Sequence, residues 1–213
     1  RFPDGEQIQA GELIASQADE HNGAIEGEFR YSETYLSHHH AFALDPNSLP
    51  LGQGIYNVAR PRAGIHGVFE DALPDDWGRR LLVRQHQLLP AQQRAPHLLR
   101  CLGSTGLGAL EFRQTDEAPP ILISASRPAT VEQLLRAAVA FDAGETLVEP
   151  DISLLFGAGS SPGGARPKAL VQDDNVDWIA KFPSVRDTYD VVRLEAASMQ
   201  LAKLAGLETP RIK

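Results

Sequence analysis

The chain has 213 residues, a formal net charge of −8, 42% hydrophobic residues and 23% charged residues. This composition is typical of a globular protein with a packed core, and the negative charge argues against a broad basic surface that coats nucleic acid. No apolar run approaches the roughly 18 residues that a membrane span needs. Cys101 is the only cysteine, which excludes an internal disulfide and a cysteine-based zinc site, so we expect a cytoplasmic protein without membrane contact.

Short strands and helices are predicted over residues 1–115. Gly27–Tyr31 alternates small or apolar residues with polar ones, as a half-buried strand does. The run Pro74–Asp76 predicts the start of a helix, because acidic side chains favour the positive end of the helix dipole. Leu99–Phe112 predicts a helix end, a turn at its glycines and a closing strand. These residues are therefore expected to form a mixed strand and helix subdomain.

Residues 116–149 are predicted to form a helical connector. They begin with a polar, proline-rich stretch that is typical of a domain boundary. Thr130 and Gln133 match the capping-box pattern and predict a helix that runs to about Phe141. A second unit is expected over residues 150–213.

A loop rich in glycine and serine lies between apolar residues of this second unit, from Gly157 to Lys168. Such loops can turn several backbone N–H groups toward one anion, and Gly163 and Gly164 permit close approach because no Cβ intervenes. The Walker pattern does not fit, since Pro167 precedes the lysine, and the G-x-G-x-x-G pattern fails as well. By itself, this loop is explained better by a glycine-rich turn between two strands.

The residues after the loop predict a β-hairpin that carries a lysine on its second strand. In the strand alternation, Lys181 shares a face with Ile179, opposite Ala180 and Phe182. A lysine among apolar neighbours is costly to bury without a partner.

The next element offers a partner for this lysine. Asp190–Gly206 has a strongly helical pattern and ends at a glycine, and Glu195 lies on it. A glycine-rich loop, a strand lysine and a helix glutamate, in that order, are the parts that hold ATP in the N-lobe of a kinase. A solvated edge-strand Lys181 and a solvated Glu195 are the alternative interpretation.

The loop, the lysine strand and the following helix also resemble one known family. Ser161–Lys168 is similar to the S-x-x-G-A-x-x-K loop of the HipA family, the kinase toxins of bacterial type II toxin–antitoxin pairs. Trp178–Pro183 resembles the lysine strand of that family, and Glu195–Leu207 resembles its following helix. Leu73–Asp76 and Gly103–Leu110 resemble, more weakly, patches of its N-terminal subdomain.

The resemblance implies a site and its ligands. Glu195 would position Lys181, and Ser161 matches the loop serine that these kinases autophosphorylate, with Ser160 as the neighbouring alternative. Phosphorylation there would repel ATP or expel the loop, because it adds close to two negative charges. ATP and Mg²⁺ would be the cofactors of the full-length kinase. The residues expected to contact ATP are Gly163, Gly164, Ala165, Arg166, Pro167, Lys168 and Lys181.

The expected fold class is α+β, with the N-terminal subdomain followed by a kinase-like N-lobe of antiparallel strands and one helix, and without the C-terminal kinase lobe. A kinase needs two aspartates and an asparagine from that lobe, and only Leu207–Lys213 follow the last helix. The chain is therefore interpreted as an N-terminal fragment without catalytic residues or metal ligands of its own. The resemblance implies a HipB-like antitoxin as partner and an aminoacyl-tRNA synthetase as the type of target.

Two other functions are compatible with the sequence. The chain could be a short, non-enzymatic regulatory module that docks on a separate kinase or antitoxin. It could also bind a sugar or nucleotide through the loop, although this leaves Lys181 and Glu195 unexplained. His38–His40 is expected to be a solvated loop rather than a metal site, because three consecutive histidines do not converge on one ion. Asp71, Asp75 and Asp76 fit helix capping better than a carboxylate site.

Overall fold

The computed structural model of the protein describes residues 2–58, 64–104, 106, 108–114, 130–147, 151, 154–155, 164–174 and 176–213. The architecture is α+β, as the sequence predicts, with small antiparallel sheets and several helices. The chain divides into two compact units. The first unit comprises residues 1–74 and 82–121, and the second comprises residues 75–81 and 122–213.

The first unit contains a three-stranded antiparallel sheet. Its strands are β1 (Gly11–Ala15), β2 (Gly27–Tyr31) and β3 (Tyr56–Asn57), in the order β1-β2-β3. Gly11 pairs with Tyr31 at one end of the β1–β2 ladder. Phe29 and Tyr31 of β2 are buried and Arg30 between them is exposed, which confirms the strand that their alternation predicts.

Short helical segments follow the strands of this sheet along the chain. Ser32 caps the first of them, because its side chain accepts the N–H of Tyr35 at 3.1 Å. Phe112 donates its N–H to Gly103 at 3.0 Å, and no strand forms within residues 108–114. The predicted closing strand is therefore wrong, since this bond closes a turn back to the preceding helix. The helical segments are α1 (Glu33–Leu36), α2 (Gly67–Glu70), α3 (Asp76–Gln85), a 3₁₀ turn (Pro90–Gln92) and α4 (Ala95–Leu102). The first six residues of α3 belong to the second unit.

The histidine run of the first unit has ordinary packing partners. His38 stacks on Phe2 with ring centroids 5.1 Å apart, and its Nε2 lies 3.3 Å from a Glu6 carboxylate oxygen. Among the described residues, no group of His, Cys, Asp and Glu is arranged to hold a metal ion. The described helices include none that is long and apolar enough to cross a membrane.

The second unit contains two long helices and a hairpin. Thr130 and Gln133 form the predicted capping box, with side chain to backbone distances of 3.2 and 3.0 Å. Asp190 caps the last helix by accepting the N–H of Arg193 at 3.0 Å. These caps confirm both helix starts that the sequence predicts. The elements are α5 (Val131–Asp142), β4 (Lys168–Asp173), β5 (Val176–Lys181) and α6 (Val191–Leu204).

The core of the second unit forms around Trp77, which is fully buried. Its ring meets that of Phe141 edge to face, with centroids 5.0 Å apart, a favoured geometry for aromatic pairs. Ala169 of β4 and Phe182, directly after β5, belong to this core. One face of the hairpin is therefore covered by the core. The other buried members are Leu81, Leu134, Ala137, Ala138, Leu147 and Leu155.

Candidate functional site

The β4–β5 hairpin places two lysines side by side. The strands are antiparallel, and the register pairs Lys168 with Lys181 and Ala169 with Ala180. Because side chains alternate across a strand, Lys168 and Lys181 lie on the face opposite Ala169 and Ala180. Ala169 is in the core and Ala180 packs against it. Lys181 thus lies on the outer face with Ile179, as the sequence predicts.

Lys181 forms an ion pair with Glu195 of α6. Its Nζ contacts the Oε1 of Glu195 directly. The two side chains are 42% and 38% exposed, so water screens the pair and its contribution to folding is small. The pair instead fixes the position of the Lys181 amine on the outer face of the hairpin.

Lys168 has a different environment from Lys181. The residue is only 7% exposed, and burial lowers the pKa of its amine below the ordinary value. The positive charge of Lys181 lowers that pKa further, whereas the carboxylates of Asp75 and Glu195 act in the opposite direction. The two lysines and two carboxylates therefore form one electrostatically coupled cluster.

The loop that precedes β4 reaches this cluster through Gly164. Gly164 has a φ of +120°, a conformation that favours glycine, and a Cβ at this position would collide with Nζ of Lys168. Its N–H donates to a carboxylate oxygen of Asp75. Asp75 lies at the start of α3, where its C=O accepts the N–H of Arg79 at 2.8 Å.

Asp75 is the site residue that sequence reasoning missed. Its place before α3 favoured a helix-capping role, and 89 positions separate it from Gly164. No local pattern links the two residues, since only the folded chain brings them together. The carboxylate of Asp75 shows that the Gly164 amide binds an anionic oxygen.

Arg166 of the loop contacts the segment that follows β5. Its Nη1 lies 2.5 Å from a carboxylate oxygen of Asp187. The second carboxylate oxygen of Asp187 accepts the N–H of Ser184 at 3.0 Å. The Ser184 bond, followed by the Arg166 guanidinium, holds the pKa of Asp187 below its ordinary value. Of the remaining predicted loop contacts, Ala165 is exposed and Pro167 is buried, whereas Ser160, Ser161 and Gly163 lie outside the described residues.

A second carboxylate, Asp142 at the end of α5, also binds this segment. Its side chain is 2% exposed and accepts the hydroxyl of Ser184 at 2.6 Å and the N–H of Val185 at 3.0 Å. Arg80 approaches the other oxygen at 3.4 Å and lies 5.3 Å from the centre of the Trp77 ring. Asp142 therefore anchors the end of the lysine strand to the core of the second unit.

The cluster contains two amines that can pair with an anion and two carboxylates that balance their charge. Two amines lie next to each other at the open end of the hairpin, and Gly164, whose N–H is bonded to the Asp75 carboxylate, lies beside the Lys168 amine. Amines and backbone N–H groups that converge on one point are the usual protein ligands for phosphate.

The comparisons with known proteins cover most of the chain. The model of the HipA N-terminal domain matches residues 6–113, just over half of the sequence. The model of the HipA-like C-terminal domain matches residues 160–213, which include most of the loop, the hairpin and α6. No curated protein matches the sequence. With both family domains matched in the expected order, the chain belongs to the HipA family.

Proposed function

We propose that this chain supplies the ATP-phosphate-binding elements of a HipA-like serine/threonine kinase toxin of a type II toxin–antitoxin system. The observation that carries the proposal is the Lys181–Glu195 ion pair on the outer face of the hairpin, next to Lys168 and Gly164. A structural ion pair would not require a glycine loop and a second amine at the same place. A kinase requires a glycine-rich loop and a lysine–glutamate ion pair together.

Each group has a distinct role in this proposal. Lys181 neutralises phosphate oxygens of ATP, and Glu195 fixes the direction of its amine. Lys168 binds a neighbouring phosphate from the loop side, and the Gly164 amide joins it when a phosphate oxygen replaces the Asp75 carboxylate as acceptor. Mg²⁺ bound together with ATP would reduce the charge that these groups must neutralise. The groups described here account for nucleotide binding, and phosphoryl transfer is proposed for the complete kinase site.

The family also supplies a proposed partner and target. A HipB-type antitoxin is the expected binding partner, and an aminoacyl-tRNA synthetase is the proposed type of protein substrate. Ser161, or Ser160 beside it, is proposed as the autophosphorylated residue. A phosphate on this loop would bring close to two negative charges to the lysines that otherwise hold ATP, which would switch the site off.

Replacement of the lysine tests the proposal. Lys181→Ala in the native full-length protein is expected to abolish ATP-dependent phosphorylation of the loop, measured by mass spectrometry, and growth inhibition on expression. Lys203→Ala is the matched control, because it removes the same charge from α6. If the Lys181 variant keeps both activities, the kinase assignment of this strand is wrong.

A further inference from the structure

The open end of the β4–β5 hairpin is where the two lysines lie. Lys168 is the first residue of β4 and Lys181 is the last residue of β5, so the turn that joins the strands is at the far end of the ladder. A two-stranded hairpin is marginally stable by itself, and strand ends open most easily. The spacing of the two amines therefore depends on what holds this open end together.

Two contacts cross the open end just beyond the lysines. Phe182 donates its N–H to the Pro167 carbonyl at 2.9 Å and continues the ladder by one bond. Next to it, the Arg166 guanidinium pairs with Asp187 at 2.5 Å. The Asp187 side chain is 9% exposed, and its second oxygen is held by the N–H of Ser184. The acceptor of the ion pair is thus both sheltered and fixed in direction.

We infer that Arg166 and Asp187 are positioning residues that clamp the open end of the hairpin and set the spacing of Lys168 and Lys181. Arg166 then acts through the lysines rather than on phosphate, and Asp187 becomes a determinant of nucleotide binding without touching the nucleotide. The inference rests on the proposed function for its effect on ATP. The clamp itself depends only on the contacts of the hairpin.

Asp187→Asn separates a clamp from a direct phosphate contact. If Arg166 binds phosphate directly, removal of its carboxylate partner frees the guanidinium and deletes a negative charge, so ATP should bind as well as before or more tightly. If the pair is a clamp, the lysines lose their spacing and ATP should bind about tenfold more weakly, since small misplacements of binding groups are costly. The two interpretations therefore predict opposite directions for one substitution.

The experiment compares Asp187→Asn, Arg166→Gln and the control Arg186→Gln, an exposed arginine next to Asp187, in the 213-residue chain. Binding of ATP with Mg²⁺ is measured by calorimetry, and hydrogen exchange is measured at the Phe182 amide. We expect both clamp variants to weaken ATP binding and to speed exchange of the Phe182 amide by at least about fivefold. Arg186→Gln should change neither quantity.

Two outcomes would overturn the inference. Unchanged or tighter ATP binding by Asp187→Asn would make Arg166 a phosphate ligand. Unchanged exchange of the Phe182 amide in both variants would show that the ion pair does not hold the hairpin. A third outcome separates the two proposals. If the Phe182 amide exchanges faster in both variants but the wild-type chain does not bind ATP, the clamp is supported and the proposed function is contradicted.

Discussion

The buried carboxylate of Asp142 should stabilise the second unit in a charge-dependent manner. Its Oδ2 accepts both the Ser184 hydroxyl at 2.6 Å and the Val185 N–H at 3.0 Å, and its Oδ1 faces Arg80. Asp142→Asn preserves the shape of the side chain and removes the charge. All the partners of Asp142 are donors, whereas an asparagine amide has one oxygen and one NH₂ group. In either orientation, the NH₂ group therefore faces a donor: the Ser184 hydroxyl and Val185 N–H, or the Arg80 guanidinium.

The expected loss follows from these contacts. Hydrogen bonds to a charged group contribute about 1.5–3 kcal/mol each, whereas bonds between neutral groups contribute about 1 kcal/mol. Two such bonds lose their charge assistance in Asp142→Asn, and Arg80 loses its buried counter-charge. We therefore expect the free energy of unfolding to fall by about 2–3 kcal/mol at pH 7.

The pH dependence of the stability provides a second, independent test of this prediction. Burial by itself would raise the pKa of Asp142, but the bonds from Ser184 and Val185 and the charge of Arg80 outweigh it, and the pKa lies below its ordinary value. A lowered carboxyl pKa adds stability above the ordinary value of about 4, and that stability is lost as the pH falls through the folded-state pKa. The difference between wild type and Asp142→Asn should therefore shrink in acid.

Urea unfolding followed by tryptophan fluorescence measures both effects. The chain has two tryptophans, Trp77 and Trp178, and both lie in the second unit, so the signal reports the unit that contains Asp142. Glu208→Gln is the matched control, since Glu208 is exposed. A difference below about 0.5 kcal/mol at pH 7, the range of ordinary surface substitutions, would refute the reasoning. A large difference that persists unchanged at low pH would refute the role of the charge.

Two further predictions concern the lysine cluster. Asp75→Asn should lower the pKa of Lys168, because the Asp75 carboxylate favours the charged amine. NMR titration of the Lys168 side chain measures this shift. An unchanged or higher pKa would contradict the prediction. Gly164→Ala should weaken binding of ATP by about tenfold or more, because the new methyl group displaces the flexible Lys168 amine from its place and the backbone has a φ of +120°. Calorimetry measures ATP binding. Gly206→Ala is the control, since it has the same kind of backbone strain but open space around the Cβ. Equal ATP binding by Gly164→Ala and wild type would contradict the close approach of Gly164 to the Lys168 amine.

Local patterns were sufficient to predict much of the second unit. The capping box at Thr130, the apolar alternation along β5 and the helical pattern after Asp190 each specify an element through neighbours in sequence. The family motifs then indicated that Lys181 and Glu195 belong together. In the first unit, the expected strand before Phe112 failed because a backbone bond to Gly103 replaces ladder pairing.

The contacts that shape the site could not be predicted in the same way. Asp75 meets Gly164 across 89 positions and Asp142 meets Ser184 across 42. An aspartate before a helix or at its end has a sufficient local explanation, so nothing in the sequence indicates a distant partner. Only the packing of α3 and α5 residues with the hairpin in the second unit determines where these carboxylates lie.

The alternation of the hairpin also limits how its length can change. In β4 and β5, residues of the lysine face and of the core face follow one another in turn, so an insertion or deletion of one residue within either strand would exchange the faces beyond it. Such a change would turn a lysine amine into the core and bring Ala169 or Phe182 into water. Changes at the turn around Asp174, which already has a positive φ, avoid this exchange, and length variation among related proteins should therefore be concentrated there.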